Sequence, residues 1–118
     1  MEICEKKGVT NMEINIARDY TKTPGGRYIK EGPFSGEDFR NTLLLPAFEK
    51  SKAQNERLTV VLDGGFGYAV SFLEEAFGGL VRQTKDKSVK DIEIISEEDE
   101  AFKKKVYKYI DEAIKALK

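Results

Sequence analysis

Apolar and polar positions alternate through Met12-Glu13-Ile14-Asn15-Ile16-Ala17, the signature of a half-buried strand. Leu58 to Asp63 (LTVVLD) is instead an almost unbroken apolar, β-branched run closed by an acid, as in the central strand of a covered parallel sheet. Asp91 to Ser96 (DIEIIS) is a second Ile-rich run suited to lie beside it. Helical spacing takes over elsewhere. Ser35 predicts a helix start, with Asp38 as its capping partner, followed by a stripe of Phe39, Leu43, Leu44, Ala47 and Phe48. Pro46 falls inside that stripe and predicts a kink or a split. Ser71 and Glu74 form S-x-x-E ahead of Phe72, Leu73, Ala76, Phe77, Leu80 and Val81, the pattern of a capped amphipathic helix. A last helix is predicted over Glu97 to Lys118, with acids at its start and lysines at its end, as the helix dipole favours.

Thr23-Pro24-Gly25-Gly26 is a strong turn signal, after which Arg27-Tyr28-Ile29 is expected to return as a short antiparallel partner, broken by Gly32-Pro33. The predicted order is therefore β, β, α, β, α, β, α. It implies an α/β fold: a small mixed sheet with about three helices packed on it through right-handed crossovers. Met1 to Asn11 lacks periodicity and reads as a flexible N-terminal extension (1–11) to a single domain over 12–118.

Composition narrows the chemistry. With 118 residues, 40% hydrophobic and 35% charged, the chain can bury a core beneath a well-solvated surface. A net charge of −1 argues against nucleic acid held by bulk electrostatics. No apolar run approaches the roughly 20 residues of a membrane helix, and no secretory signal is visible. The single cysteine, Cys4, has no partner in the chain, so a reduced cytoplasmic setting is the simplest reading. The chain has no histidine, which excludes His/Cys zinc sites and the Ser-His and Cys-His nucleophile pairs. No catalytic residue, metal or cofactor is expected, and the chain is read as a non-enzyme.

The most informative segment is the passage from strand to helix. Gly64, Gly65 and Gly67 allow a sharp change of direction after Asp63, and the helix N-terminus behind them can meet a polar or anionic group. Asp63 before two glycines is read first as a turn former. The segment Gly64-Gly65-Phe66-Gly67 could cradle phosphate, but it lacks the G-x-x-x-x-G-K-S/T pattern, so turn chemistry is favoured. The rival reading is a small-ligand or nucleotide-binding domain, or an enzyme, using loop 64–67. Phe66 is read as a core plug, and Tyr68 stands open between plug and exposed anchor. Ser71 is read foremost as a helix cap and secondarily as a phosphosite, where Glu74 and Glu75 would oppose the added charge. These two acids point about 100° apart, which leaves Glu74 as capping partner and Glu75 solvated. Arg27, Tyr28 and Arg82 are read as solvated surface or as polar contacts to a partner, and Lys103, Lys104 and Lys105 as a solvated face.

The blocks SGEDFRNTLLLPAF, LTVVLDGG and SFLEEAFGGLVR resemble the STAS-like domain family of unknown function, from Met12 onward. That family is similar to STAS domains, which include anti-sigma-factor antagonists. In those, an Asp-Ser-Ser-Gly turn after the central strand carries a serine phosphorylated by a histidine-kinase-like ATPase. The resemblance matches Asp63 to the strand-ending acid and Ser71 to the serine region. This chain has Ala69-Val70-Ser71-Phe72 where the antagonists have their motif. The resemblance implies a regulatory, partner-binding domain, with Asp63 to Tyr68 and Ser71 as contact residues and such an ATPase as partner.

Overall fold

The computed structural model describes residues 12–117. Strands β1 (Met12–Asn15), β2 (Leu58–Val61) and β3 (Glu93–Ile95) form one sheet in the order β1-β2-β3, and both pairings are parallel. The register places Ile14 beside Val60 and Val60 beside Ile94. All three are buried, so this rung faces the core. The alternate rungs, Glu13–Thr59–Glu93 and Asn15–Val61–Ile95, point the other way and stay partly exposed except at Thr59. The sheet therefore presents its apolar side to a single core built from Phe39, Phe72, Phe77, Leu80 and Ile110 among others. The outer edge of β3 is closed by a side chain: the Tyr107 hydroxyl donates to the Ile92 carbonyl at 3.0 Å and accepts from the Ile94 N–H at 3.1 Å. Unpaired strand edges invite further pairing, and this contact blunts one of them.

Among the described residues, four helices pack with the sheet. The short α1 (Ile16–Asp19) follows β1 directly, because the Asn15 side chain accepts from the Arg18 N–H and caps it. Helix α2 spans 36–53 and α3 spans 70–84, each interrupted by a π turn, at Arg40–Leu44 and Glu74–Gly78 respectively. Helix α4 covers Glu100–Lys115 and begins at Asp99, whose side chain accepts from the Ala101 N–H. Ser35 caps α2 as expected, accepting from the Asp38 N–H at 3.0 Å. The Asp38 carboxylate does not return the bond; it takes the Tyr20 hydroxyl instead. Pro46 neither stops nor splits α2. The π turn just before it routes the Leu45 N–H to the Arg40 carbonyl, and Pro46 then enters the first turn of the following α segment, where a missing N–H costs little.

The fold class is as predicted, but the hairpin is not formed, and the sheet is parallel throughout its three strands. Residues 27–29 make no strand: Ile29–Glu31 is a 3₁₀ turn. The N–H groups of Arg27 and Tyr28 are spent on the Glu31 carboxylate, so they cannot build a ladder. The Pro-Gly-Gly turn instead docks on the entry to α2, with the Gly25 N–H donating to the Phe34 carbonyl and the Gly36 N–H to the Gly26 carbonyl. The expected extension 1–11 lies outside the described residues.

Candidate functional site

In parallel sheets, function collects at the carboxyl ends of the strands. Three connections meet there: residues 16–35 after β1, 62–69 after β2 and 96–99 after β3. They are stitched together through backbone groups. The Asp63 carboxylate accepts from the N–H groups of Glu97 at 3.0 Å and Glu98 at 2.8 Å. Glu98 answers by accepting from the Gly64 N–H at 2.8 Å. The Phe66 N–H donates to the Lys22 carbonyl at 2.9 Å, which ties in the first connection. Asp63 is thus a clamp between two loops.

Gly64 and Gly67 hold φ of 95° and 115°, conformations that a side chain would strain. With the N–H groups of Gly64 and Phe66 already bonded within the protein, this loop has few donors left for a phosphate. A depression of about 670 Å³ lies at the opposite end of the strands, lined by Phe48, Lys52, Arg57, Leu58, Ser88 and Ile92. It includes no residue of the 63–71 segment.

Of the two aromatics of the loop, the structure reverses the reading of Phe66 and decides the open one of Tyr68. Phe66, expected as a plug, is 84% exposed. Tyr68 is the plug: its hydroxyl donates to the Leu62 carbonyl at 2.9 Å, and its ring meets Phe102 edge-on at 5.3 Å. Burial, with the nearby Asp63 and Glu98 charges, pushes the Tyr68 hydroxyl well above its usual titration range. Fixed to the floor of the loop by Asp63, Gly64 and Tyr68, Phe66 projects into solvent. Val70, 53% exposed, opens the next helix.

Ser71 does not cap α3. The cap position belongs to Ala69, no side chain bonds the first turn, and Ser71 is the second helical residue, half-buried. Among the described residues its hydroxyl makes no hydrogen bond. Glu74, expected as the capping partner, and Glu75, expected in solvent, are both held by arginines. Arg27 Nη1 bonds Glu74 and reaches Glu75 at 3.2 Å. Arg82 bonds Glu74 through Nη1 at 2.7 Å and Nη2 at 3.2 Å. Arg40 bonds the Glu75 carboxylate at 2.6 Å and its carbonyl at 2.8 Å. The Arg40 and Glu75 side chains are only 11% and 12% exposed. Hydrogen bonds from Arg82, and then from Arg27, hold the Glu74 carboxyl below its usual range.

The arginine–glutamate cluster is the part of the site that sequence reasoning missed. Arg40 was assigned no role, and Arg27 and Arg82 stood as surface residues with only a contact alternative. A signal did exist in Gly78-Gly79, a glycine pair inside a helical pattern. A Cβ built on Gly79 would collide with Arg40 Nη1, so glycine there admits the guanidinium. Gly36 plays the same part for the backbones, since a Cβ there would stand 2.5 Å from the Phe72 carbonyl oxygen.

This arrangement, a parallel sheet with α2 and α3 crossing at glycines and a tethered loop after the central strand, coincides with a match to a family model over residues 35–101. The chain belongs to the STAS-like domain family of unknown function. The matched stretch runs from the cap of α2 to the start of α4, more than half of the chain. Searches of curated proteins and of solved structures returned no match. Among the described residues of this STAS-like domain, no helix is long and apolar enough to cross a membrane, and no group of three or more potential metal ligands stands together.

Proposed function

We propose that this STAS-like domain is a non-enzymatic regulatory module that docks a partner protein at the carboxyl ends of β1 and β2. One observation carries the reading. Among the described residues, every exposed large apolar side chain lies at this end: Tyr28, Ile29 and Phe34 after β1, Phe66 and Val70 after β2. Apolar side chains gathered at one end of a molecule, on loops tethered by hydrogen bonds, are suited to anchor a partner. The resemblance to anti-sigma-factor antagonists supplies the partner class, a histidine-kinase-like ATPase, and with it a cytoplasmic setting.

Ser71 follows Val70 directly, and it is free of a capping duty that would compete with modification. The partner would transfer the terminal phosphoryl group of ATP to the Ser71 oxygen, releasing ADP and the hydroxyl proton. Glu74 and Glu75 do not oppose this as free acids would, because three arginines already neutralise them.

Affinity capture from the native host, read by mass spectrometry, tests the proposal. The parent chain should retain an ATPase, Phe66→Ser should lose it, and Ser71→Ala and Ser71→Asp should shift its recovery in opposite directions. Capture indifferent to all three substitutions, or devoid of an ATPase, would overturn the reading.

A further inference from the structure

The arginine cluster is built with a spare donor beside Ser71. Ser71, Glu74 and Glu75 stand at i, i+3 and i+4, so they share one face of α3, and Ser71 lies about one turn, ~5 Å, ahead of the two acids. Arg27 reaches this face from the connection after β1 and engages both acids through Nη1 alone. Among the described residues, its Nε and Nη2 have no acceptor. The other two arginines are committed elsewhere. Arg82 grips Glu74 with two nitrogens, and Arg40 divides itself between Glu75 and Gln83.

Two consequences follow from this redundancy. Arg27 can swing away without orphaning either acid, because Glu74 keeps Arg82 and Glu75 keeps Arg40. The five side chains also carry three positive and two negative charges, leaving one positive charge in excess. Arg82 reaches back along the helix to Glu74 but spends two nitrogens there, so the arginine with donors to spare is Arg27.

We propose that Arg27 is the residue that reads a phosphate on Ser71, exchanging its contact with Glu74 for a charge-assisted, two-nitrogen grip on the phosphate oxygens. Guanidinium is well suited to this, since its planar fork matches phosphate. Arg27 is rooted in the exposed apolar connection: its N–H donates to Glu31, its carbonyl accepts from the Glu37 N–H, and Tyr28 and Ile29 follow it directly. A phosphate on Ser71 therefore pulls on the surface that carries Tyr28 and Ile29. The inference rests on Ser71 as the modified residue but requires no partner to test.

The experiment uses the full chain with phosphoserine incorporated at position 71 during synthesis, alone and combined with Arg27→Gln or Arg27→Lys. Phosphorus NMR titration reads the phosphate, whose second ionisation ordinarily falls at about pH 6. The expected result is ionisation at or below that pH in the parent. Arg27→Gln should raise it by about half a unit or more, because the phosphate dianion then loses the guanidinium that favours its charge. Arg27→Lys should fall between. Hydrogen exchange should show residues 26–31 slowed several-fold by the phosphate in the parent and unchanged by it in Arg27→Gln. An identical phosphate titration in parent and Arg27→Gln, or equal slowing of 26–31 in both, would overturn the proposal. These readouts are independent of partner capture, so the Arg27 contact can fail while the docking reading survives, and the reverse.

Discussion

Gly79→Ala sets two known effects against each other, and the structure decides the sign. In an ordinary exposed helix interior, replacing glycine by alanine gains about 1 kcal/mol. At Gly79 the added methyl would occupy the space of Arg40 Nη1, with the guanidinium carbon only 3.2 Å away. Arg40 would have to withdraw from the Glu75 carboxylate and carbonyl, both inside a pocket that leaves these side chains about a tenth exposed. Breaking a buried ion pair from one side costs about 3–5 kcal/mol. Arg40 is displaced here rather than deleted, and Glu75 keeps its longer contact with Arg27, so the lower end, about 3 kcal/mol, applies. The net expectation is a loss of about 2 kcal/mol, equivalent to roughly 8 °C in Tm for a domain of this size. Urea denaturation followed by circular dichroism measures it, with the slope checked for constancy. A double-mutant cycle sharpens the test. In an Arg40→Gln background the shortened side chain leaves room, and Gly79→Ala should turn neutral or stabilising. Gly79→Ala at or above parental stability would refute the idea that the glycine exists to admit Arg40.

Ser71→Ala should change stability by less than about 0.5 kcal/mol, because Ser71 does not cap α3; a loss near 1 kcal/mol in urea denaturation would restore the capping role. Asp63→Ala should cost about 1–3 kcal/mol and speed amide exchange at Glu97 and Glu98, whose N–H groups lose their acceptor; unchanged exchange there would refute the clamp. Acid should unfold the domain in a defined order. The Glu74 carboxyl is held below its usual 4.5, chiefly by hydrogen bonds from Arg82, and Asp86 is lowered from 3.8 to about 2, chiefly by Ser88. Both pKa values are depressed on folding, so their contributions are complete above pH 4.5 and 3.8 and disappear as pH falls through the folded values. Glu74→Gln should flatten the upper part of that acid limb, and an unaltered limb would show that the cluster does not couple to folding.

Periodicity and cap chemistry along the chain determined the sequence of elements after Gly32. The Ser35 start, the buried run at 58–61, the amphipathic stretch from 70 and the terminal helix each depend on contacts within a few residues, so local pattern suffices to specify them. The glycine-rich crossing was legible for the same reason, since positive φ is a local demand. Local pattern failed where a side chain outside the pattern claimed the same backbone or charge, or where packing shifted an element's start. Residues 27–29 look like a strand, but Glu31 takes the N–H groups of Arg27 and Tyr28 and Glu37 that of Ile29, and Glu74 and Arg82 are occupied holding one another and Arg27. Ser71 and Glu74 fit a capping box in spacing alone, because a capping residue must lie just outside the helix and α3 begins at Val70. Phe66 and Tyr68 are near neighbours of similar character. Only the packing of α4 beneath the loop decided that Phe102 receives Tyr68 and that Phe66 is left in solvent. Ion pairs between residues 35 to 48 positions apart leave no periodic trace in a chain, and so the arginine–glutamate cluster beside Ser71 existed only once the helices had crossed.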